Sequence, residues 1–105
     1  MTTDDIELIT KYHHQVPEQK KYEAWYNNGM PEGTWKAWYT NGNLKEKGNY
    51  INGMQVGNWY LYHDNGQIYQ ISQWRDGLVH GAVIEFDKEG HIISKFNYND
   101  GIPVE

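Results

Sequence analysis

The glycines of this chain recur every 24 residues. Gly29, Gly53, Gly77 and Gly101 form one series, Gly33, Gly57 and Gly81 a second, and Gly42, Gly66 and Gly90 a third. Of the eleven glycines only Gly48 stands outside them. Other positions keep the same phase: Tyr50, Trp74 and Tyr98; Trp38, Tyr62 and Phe86; Leu44, Ile68 and Ile92; Trp35, Trp59 and Val83. A fixed period of this length marks a repeat architecture, in which one short unit cannot bury its own apolar face and its neighbours cover it. In-phase residues are explained by the scaffold, so specificity is to be sought among those that break phase.

Each unit reads as two strands. Gly57-Asn-Trp-Tyr-Leu-Tyr-His63 and Gln67-Ile-Tyr-Gln-Ile-Ser-Gln-Trp74 are rich in β-formers and are bounded by Asp64-Asn65-Gly66 and Arg75-Asp76-Gly77. The third copy identifies the first turn, because it has Glu89 before Gly90 where the others have asparagine. A two-residue type I′ turn would force Glu89 to positive φ; a three-residue loop asks this only of the glycine. In that loop residue 39 faces 43, so Trp38 lies opposite Leu44, Tyr62 opposite Ile68 and Phe86 opposite Ile92. Strict alternation then adds Tyr50, Trp74 and Tyr98 to this ladder as the buried face and sets Lys36 opposite Glu46. Trp35, Trp59 and Val83 fall on the other face, with Lys45, Lys47 and Gln73. A type I′ turn would reshuffle both faces.

The domain expected is all-β, an extended antiparallel meander of about seven strands. Residues 1–17, out of phase and closed by Pro17, read as an N-terminal cap. Residues 18–105 read as the repeat domain, with a half repeat at 18–32 and full repeats at 33–56, 57–80 and 81–105. Pro103 would blunt pairing at the last edge.

A length of 105 residues allows one ordinary domain. Without cysteine there are no disulfides or thiolate metal sites, and a reducing cytoplasm is the expected setting. The start lacks a basic and an apolar leader region, and no apolar run approaches the ~20 residues of a membrane span. Net charge is −5, from nine Lys and Arg against fourteen acids, which argues against nucleic-acid partners and anionic membranes.

The motif Gly33-x-Trp-x-x-Trp-Tyr-x-Asn-Gly42, followed by Tyr50-x-Asn-Gly53-x-x-x-Gly57, resembles the MORN-repeat variant, the bacterial form of that motif. The resemblance covers about residues 20–104. It implies an open sheet of repeated hairpins and, through the small bacterial proteins grouped as YwqK-type antitoxins, a role in binding another protein. Val83 for tryptophan and Glu89 for asparagine depart from the pattern in the third copy.

Nothing in the sequence converges on catalysis. His63 reads as an exposed residue flanking a turn, and His13-His14 are adjacent, which rarely suits one metal site. Glu85, Asp87 and Glu89 read as a solvated acidic rim, with a weak cation site as the alternative. No nucleophile elbow or phosphate loop is present, so a non-enzymatic protein with no cofactor or metal is expected. The expected function is protein binding, as an antitoxin, immunity-like or anti-defence inhibitor, bacterial or phage in kind, docking on a basic partner such as a nuclease toxin. The partner-binding residues expected are Trp35, Trp59 and Tyr69 as aromatic anchors, and Glu85, Asp87, Glu89 and Asp100 as steering charges. A glycan- or choline-binding module built on exposed aromatics is the alternative, and a structural scaffold the third reading. Oligomeric state is left open.

Overall fold

A computed structural model describes residues 5–104; residues 1–4 of the expected cap and Glu105 of the third repeat lie outside them. Among the described residues nine strands form one antiparallel sheet in sequence order: β1 (Ile6–Tyr12), β2 (Lys20–Asn27), β3 (Met30–Trp38), β4 (Leu44–Ile51), β5 (Met54–Tyr62), β6 (Ile68–Arg75), β7 (Leu78–Phe86), β8 (Ile92–Asn99) and β9 (Ile102–Val104). The all-β meander is as expected, but the count is nine and not about seven. Residues 6–12 add a strand to the sheet, and the chain after Gly101 adds a ninth.

Two kinds of turn alternate. The three-residue loops carry the positive φ on Gly42, Gly66 and Gly90 (91°, 94° and 95°). Gly66 N donates to His63 O at 3.1 Å and His63 N donates to Gln67 O at 2.8 Å, a type I turn closed by left-handed glycine. The other turns are two-residue type I′, with both central residues at positive φ, as at Asn52 (51°) and Gly53 (79°).

Trp38, Tyr62 and Phe86 do lie opposite Leu44, Ile68 and Ile92. The remainder of the buried ladder needs correction. Each three-residue loop is followed by a bulge that leaves Lys45, Tyr69 or Ile93 without a partner, so beyond it the alternation is inverted. Glu46 consequently pairs with Ala37, and Lys36 with Lys47, so the expected Lys36–Glu46 ion pair is not made. Tyr50, Trp74 and Tyr98 pair with Gly33, Gly57 and Gly81, on the same face as Trp35, Trp59 and Val83.

That tryptophan face holds the core, built from small residues crossed by large ones. Trp35 pairs with Ala24, Trp59 lies over Gly48, and Val83 pairs with Ser72. A Cβ on Gly48 would sit 2.1 Å from Trp59 Cδ2, which explains why a glycine stands here outside the three series. The molecule is only 14 Å thick, a single layer. Among the described apolar residues only Ala24 and Trp59 are accordingly fully buried.

Side chains at the three-residue loops bind one repeat to the next. Tyr39 Oη donates to Tyr62 O, His63 Nε2 to Phe86 O at 2.9 Å, and His13 Nε2 to Trp38 O at 2.8 Å. Asn41 and Asn65 reach Asp64 O and Lys88 O in the same way. His63 is therefore a half-buried strut, packed edge-on against Tyr69, and not an exposed turn residue.

Candidate interaction surface

The residues expected to bind a partner occupy very different environments. Trp59 is 3% exposed, donates through Nε1 to Asn49 O and meets Tyr50 edge-on at 5.1 Å. It is therefore not an exposed anchor: the bulges bring Tyr50 and Trp74 onto its face, which becomes the core face, and Gly48 leaves room for its ring. Trp35 is half-buried, stacked on Tyr22 at 5.2 Å. Tyr69 is half-buried too, its hydroxyl donating to Glu85 Oε2 at 3.1 Å.

Three of the four acids are engaged within the fold, which corrects the reading of Glu85 and Asp87 as a free rim. Glu85 is half-buried and accepts from Ser94 Oγ at 2.9 Å, Gln70 Nε2 at 3.2 Å and Tyr69. Ser94 first, then Gln70 and Tyr69, hold its carboxyl below the usual glutamate range. Asp87 Oδ1 accepts from the main-chain N of both Glu89 and His91, bonds that favour the carboxylate and lower its pKa, that to His91 the most. Asp100 bridges to Arg75 through both oxygens at 3.0 and 3.2 Å. Glu89 is exposed on the turn. Ligand atoms of Asp87, Glu89 and His91 lie within 4.8 Å of one another, but the contacts of Asp87 are those of a self-capped turn.

Three aromatic rings carry a lysine of the chain itself. Lys20, Lys45 and Lys47 lie 5.7, 5.7 and 5.1 Å from the ring centres of Trp38, Tyr39 and Tyr60. At these three rings the chain's own cations take the position that a quaternary ammonium ligand would need.

What the sequence reading missed is an apolar stripe at the type I′ turns. Met30, Met54, Leu78 and Ile102 each follow such a turn and recur at the 24-residue period, so they share one face. They are 51%, 41%, 47% and 67% exposed, and Ile51, paired with Met54, is 54% exposed. The first three lean over the glycine of the next turn: a Cβ on Gly53, Gly77 or Gly101 would lie 3.6, 3.4 or 3.7 Å from Met30, Met54 or Leu78. The stripe is thereby continuous from β3 to β9. Its margin is mixed in charge: Glu32 Oε1 accepts from Asn52 N at 3.1 Å, Asp76 lies on its turn, and Arg75, paired with Leu78, bridges to Asp100. The sequence signal was there, a column apolar in every copy.

A one-layer sheet of hairpins, with a thin core and a long exposed apolar row, defines an open repeat protein of the interaction type. The family model for the MORN repeat variant matches residues 31–52, 55–76 and 79–100, more than half of the chain, and the protein belongs to that family. MORN repeats are in general protein- or membrane-binding repeats. No curated protein and no solved structure matches the chain. No helix among the described residues is long and apolar enough to cross a membrane.

Proposed function

We propose that the protein is a non-enzymatic binding module that docks a basic protein partner along the stripe Met30–Ile51–Met54–Leu78–Ile102. The stripe itself carries the reading: contiguous exposed apolar side chains rimmed by polar groups mark association surfaces, and flexible methionines adapt to a partner's contour. Glu32 and Asp76 on its margin and the net charge of −5 fit a partner with cations around an apolar centre. They disfavour an anionic lipid surface. In its most concrete form the module is an antitoxin-, immunity- or anti-defence-type inhibitor that blocks the enzyme it covers. A flat sheet stiffened by loop struts can mask a large area of a partner with little ordering cost. Glu89, exposed on its turn, is a peripheral steering charge, whereas Trp59 is withdrawn as a contact because it is buried.

The experiment is co-expression with the product of the neighbouring reading frame, followed by binding kinetics with the purified pair. Met54→Glu with Leu78→Glu should weaken binding by tenfold or more, on the order of a hot-spot loss, mainly through faster dissociation. Glu89→Lys should slow association at low salt only. Unchanged affinity of the stripe variant moves the interface elsewhere. A tight complex in which the partner keeps full activity overturns the inhibitor reading but leaves the stripe.

A further inference from the structure

We infer that β1 is a self-complementary edge through which two copies of the chain pair antiparallel, joining their sheets into one. The two edges of the sheet differ. β9 has three residues with Pro103 at its centre, the kind of edge that resists pairing. β1 has seven residues, Ile6-Glu-Leu-Ile-Thr-Lys-Tyr12, no proline, and nothing beyond it in the sheet among the described residues. Ile6, Leu8 and Tyr12 on it are 59%, 45% and 52% exposed.

Hydrogen bonding sets which registers are possible. Asn28 N donates to Asp5 O and His13 N donates to Gln19 O, so odd-numbered residues of β1 direct their main-chain groups toward β2. Ile6, Leu8, Thr10 and Tyr12 therefore direct theirs outward, and an incoming strand must bond to these. A two-fold axis through Ile9 satisfies this, pairing Ile6 with Tyr12 of the second copy and Leu8 with Thr10. It also sets Glu7 directly opposite Lys11, twice by symmetry. Glu7–Lys11 and Ile9–Ile9 are then the closer, non-hydrogen-bonded pairs, in which side chains interact most strongly.

Moving the axis by one residue either way sets Glu7 or Lys11 against Ile9 of the other copy. One register thus matches Glu7 with Lys11 and Ile9 with Ile9, and its neighbours set a charge against Ile9 instead. Edge charges ordinarily repel indiscriminate pairing. Here they do so toward other strands while favouring a second copy of the same one. The occupant follows from this charge palindrome and is distinct from the partner of the methionine stripe, which lies on the face of the sheet and not at its edge.

Sedimentation velocity over a concentration series tests the proposal. The wild-type chain should show a monomer–dimer equilibrium. Glu7→Lys and Lys11→Glu should each weaken it by about tenfold or more, since either change converts two attractive cross-strand pairs into repulsive ones. Mixing the two variants in equal amounts should restore dimer, because in the mixed pair position 7 of each copy again faces an opposite charge at position 11 of the other. The chain carrying both changes should restore it too, and its circular dichroism serves as the folding control. Met54→Glu with Leu78→Glu should leave dimerisation unchanged. A wild-type chain that stays monomeric to about millimolar concentration, where even weak pairing registers, overturns the inference. So does a mixture that dimerises no better than its components, or a dimer abolished by the stripe variant alone.

Discussion

The first full repeat and the third meet the same packing position with opposite results. Gly48 in β4 is crossed by Trp59, which is 3% exposed; Phe96 occupies the corresponding position in β8 and is 59% exposed. Ala24 and Ser72 belong to the same column and are likewise paired across the strand gap, with Trp35 and Val83. Among the described residues β9 pairs only with Asn97, Tyr98 and Asn99, and none crosses Phe96. In a single-layer sheet, then, the burial of a side chain is decided by the neighbouring strand more than by its own hydrophobicity. A tryptophan is core where the strand before it leaves a glycine beneath the ring, and a phenylalanine is surface where no described residue of the next strand lies across it.

The largest effect that could break this comparison is truncation at its two ends. Trp59→Ala should cost about 3–5 kcal/mol, as for other large core aromatics, while Phe96→Ala should cost less than about 1 kcal/mol. Urea denaturation of both variants measures it. Similar losses at the two positions would show that Phe96 is covered in solution.

Next in size is the coupling across the column. Gly48→Ala drives a methyl group into the indole and should cost about 1–3 kcal/mol. Gly48→Ser combined with Trp59→Val rebuilds the Ser72–Val83 pair of the following repeat. That double variant should be more stable than the sum of its single changes implies, by about 1 kcal/mol or more. Strict additivity in the double-mutant cycle would mean that the small and large residues are not packing partners.

The comparison also shows what can be read from the sequence. Glu89 before Gly90 excludes a type I′ turn, and the pairs Trp38–Leu44, Tyr62–Ile68 and Phe86–Ile92 follow correctly. The same turn brings a bulge at Lys45, Tyr69 and Ile93, and each unpaired residue inverts the faces beyond it. Strict alternation consequently makes Trp59 look exposed and gives Tyr50 and Trp74 the wrong companions. Glu85 looks like a rim charge because Gln70 and Ser94, which flank it on neighbouring strands, come together only through that shifted register. The stripe needs no register at all. Met30, Met54, Leu78 and Ile102 form a column as regular as the glycines, hidden behind the more conspicuous aromatic positions.

The turn glycines give an effect of intermediate size. Gly66 holds φ at 94°, so Gly66→Val should be less stable than Gly66→Asn by about 1 kcal/mol, since asparagine tolerates positive φ and a β-branched residue does not. Equal melting shifts for the two variants would indicate that the loop changes type and places its strain elsewhere.

The smallest effect concerns the one carboxylate that the third repeat sets on the tryptophan face. Glu85 stands where the second repeat has Leu61 and the first has Ala37. Its carboxyl is held below the ordinary glutamate range, by Ser94 Oγ first and then by Gln70 and Tyr69. A carboxylate with a depressed folded-state pKa contributes stability that is fully present above the unfolded value, about 4.3, and is lost as pH falls through the folded value. The melting temperature of the wild-type chain should therefore exceed that of Glu85→Gln at neutral pH, and the gap should narrow in the acid range below the unfolded value. Asp87 and Glu23, whose carboxyls are also lowered, titrate in both chains and cancel from the difference. A gap that stays constant down to the acid unfolding limit would mean that the charge on Glu85 contributes nothing. Glu85 would then differ from Leu61 only in filling space. A narrowing gap would show that the third repeat sets a hydrogen-bonded carboxylate, held between Gln70 and Ser94, where the other repeats set apolar side chains.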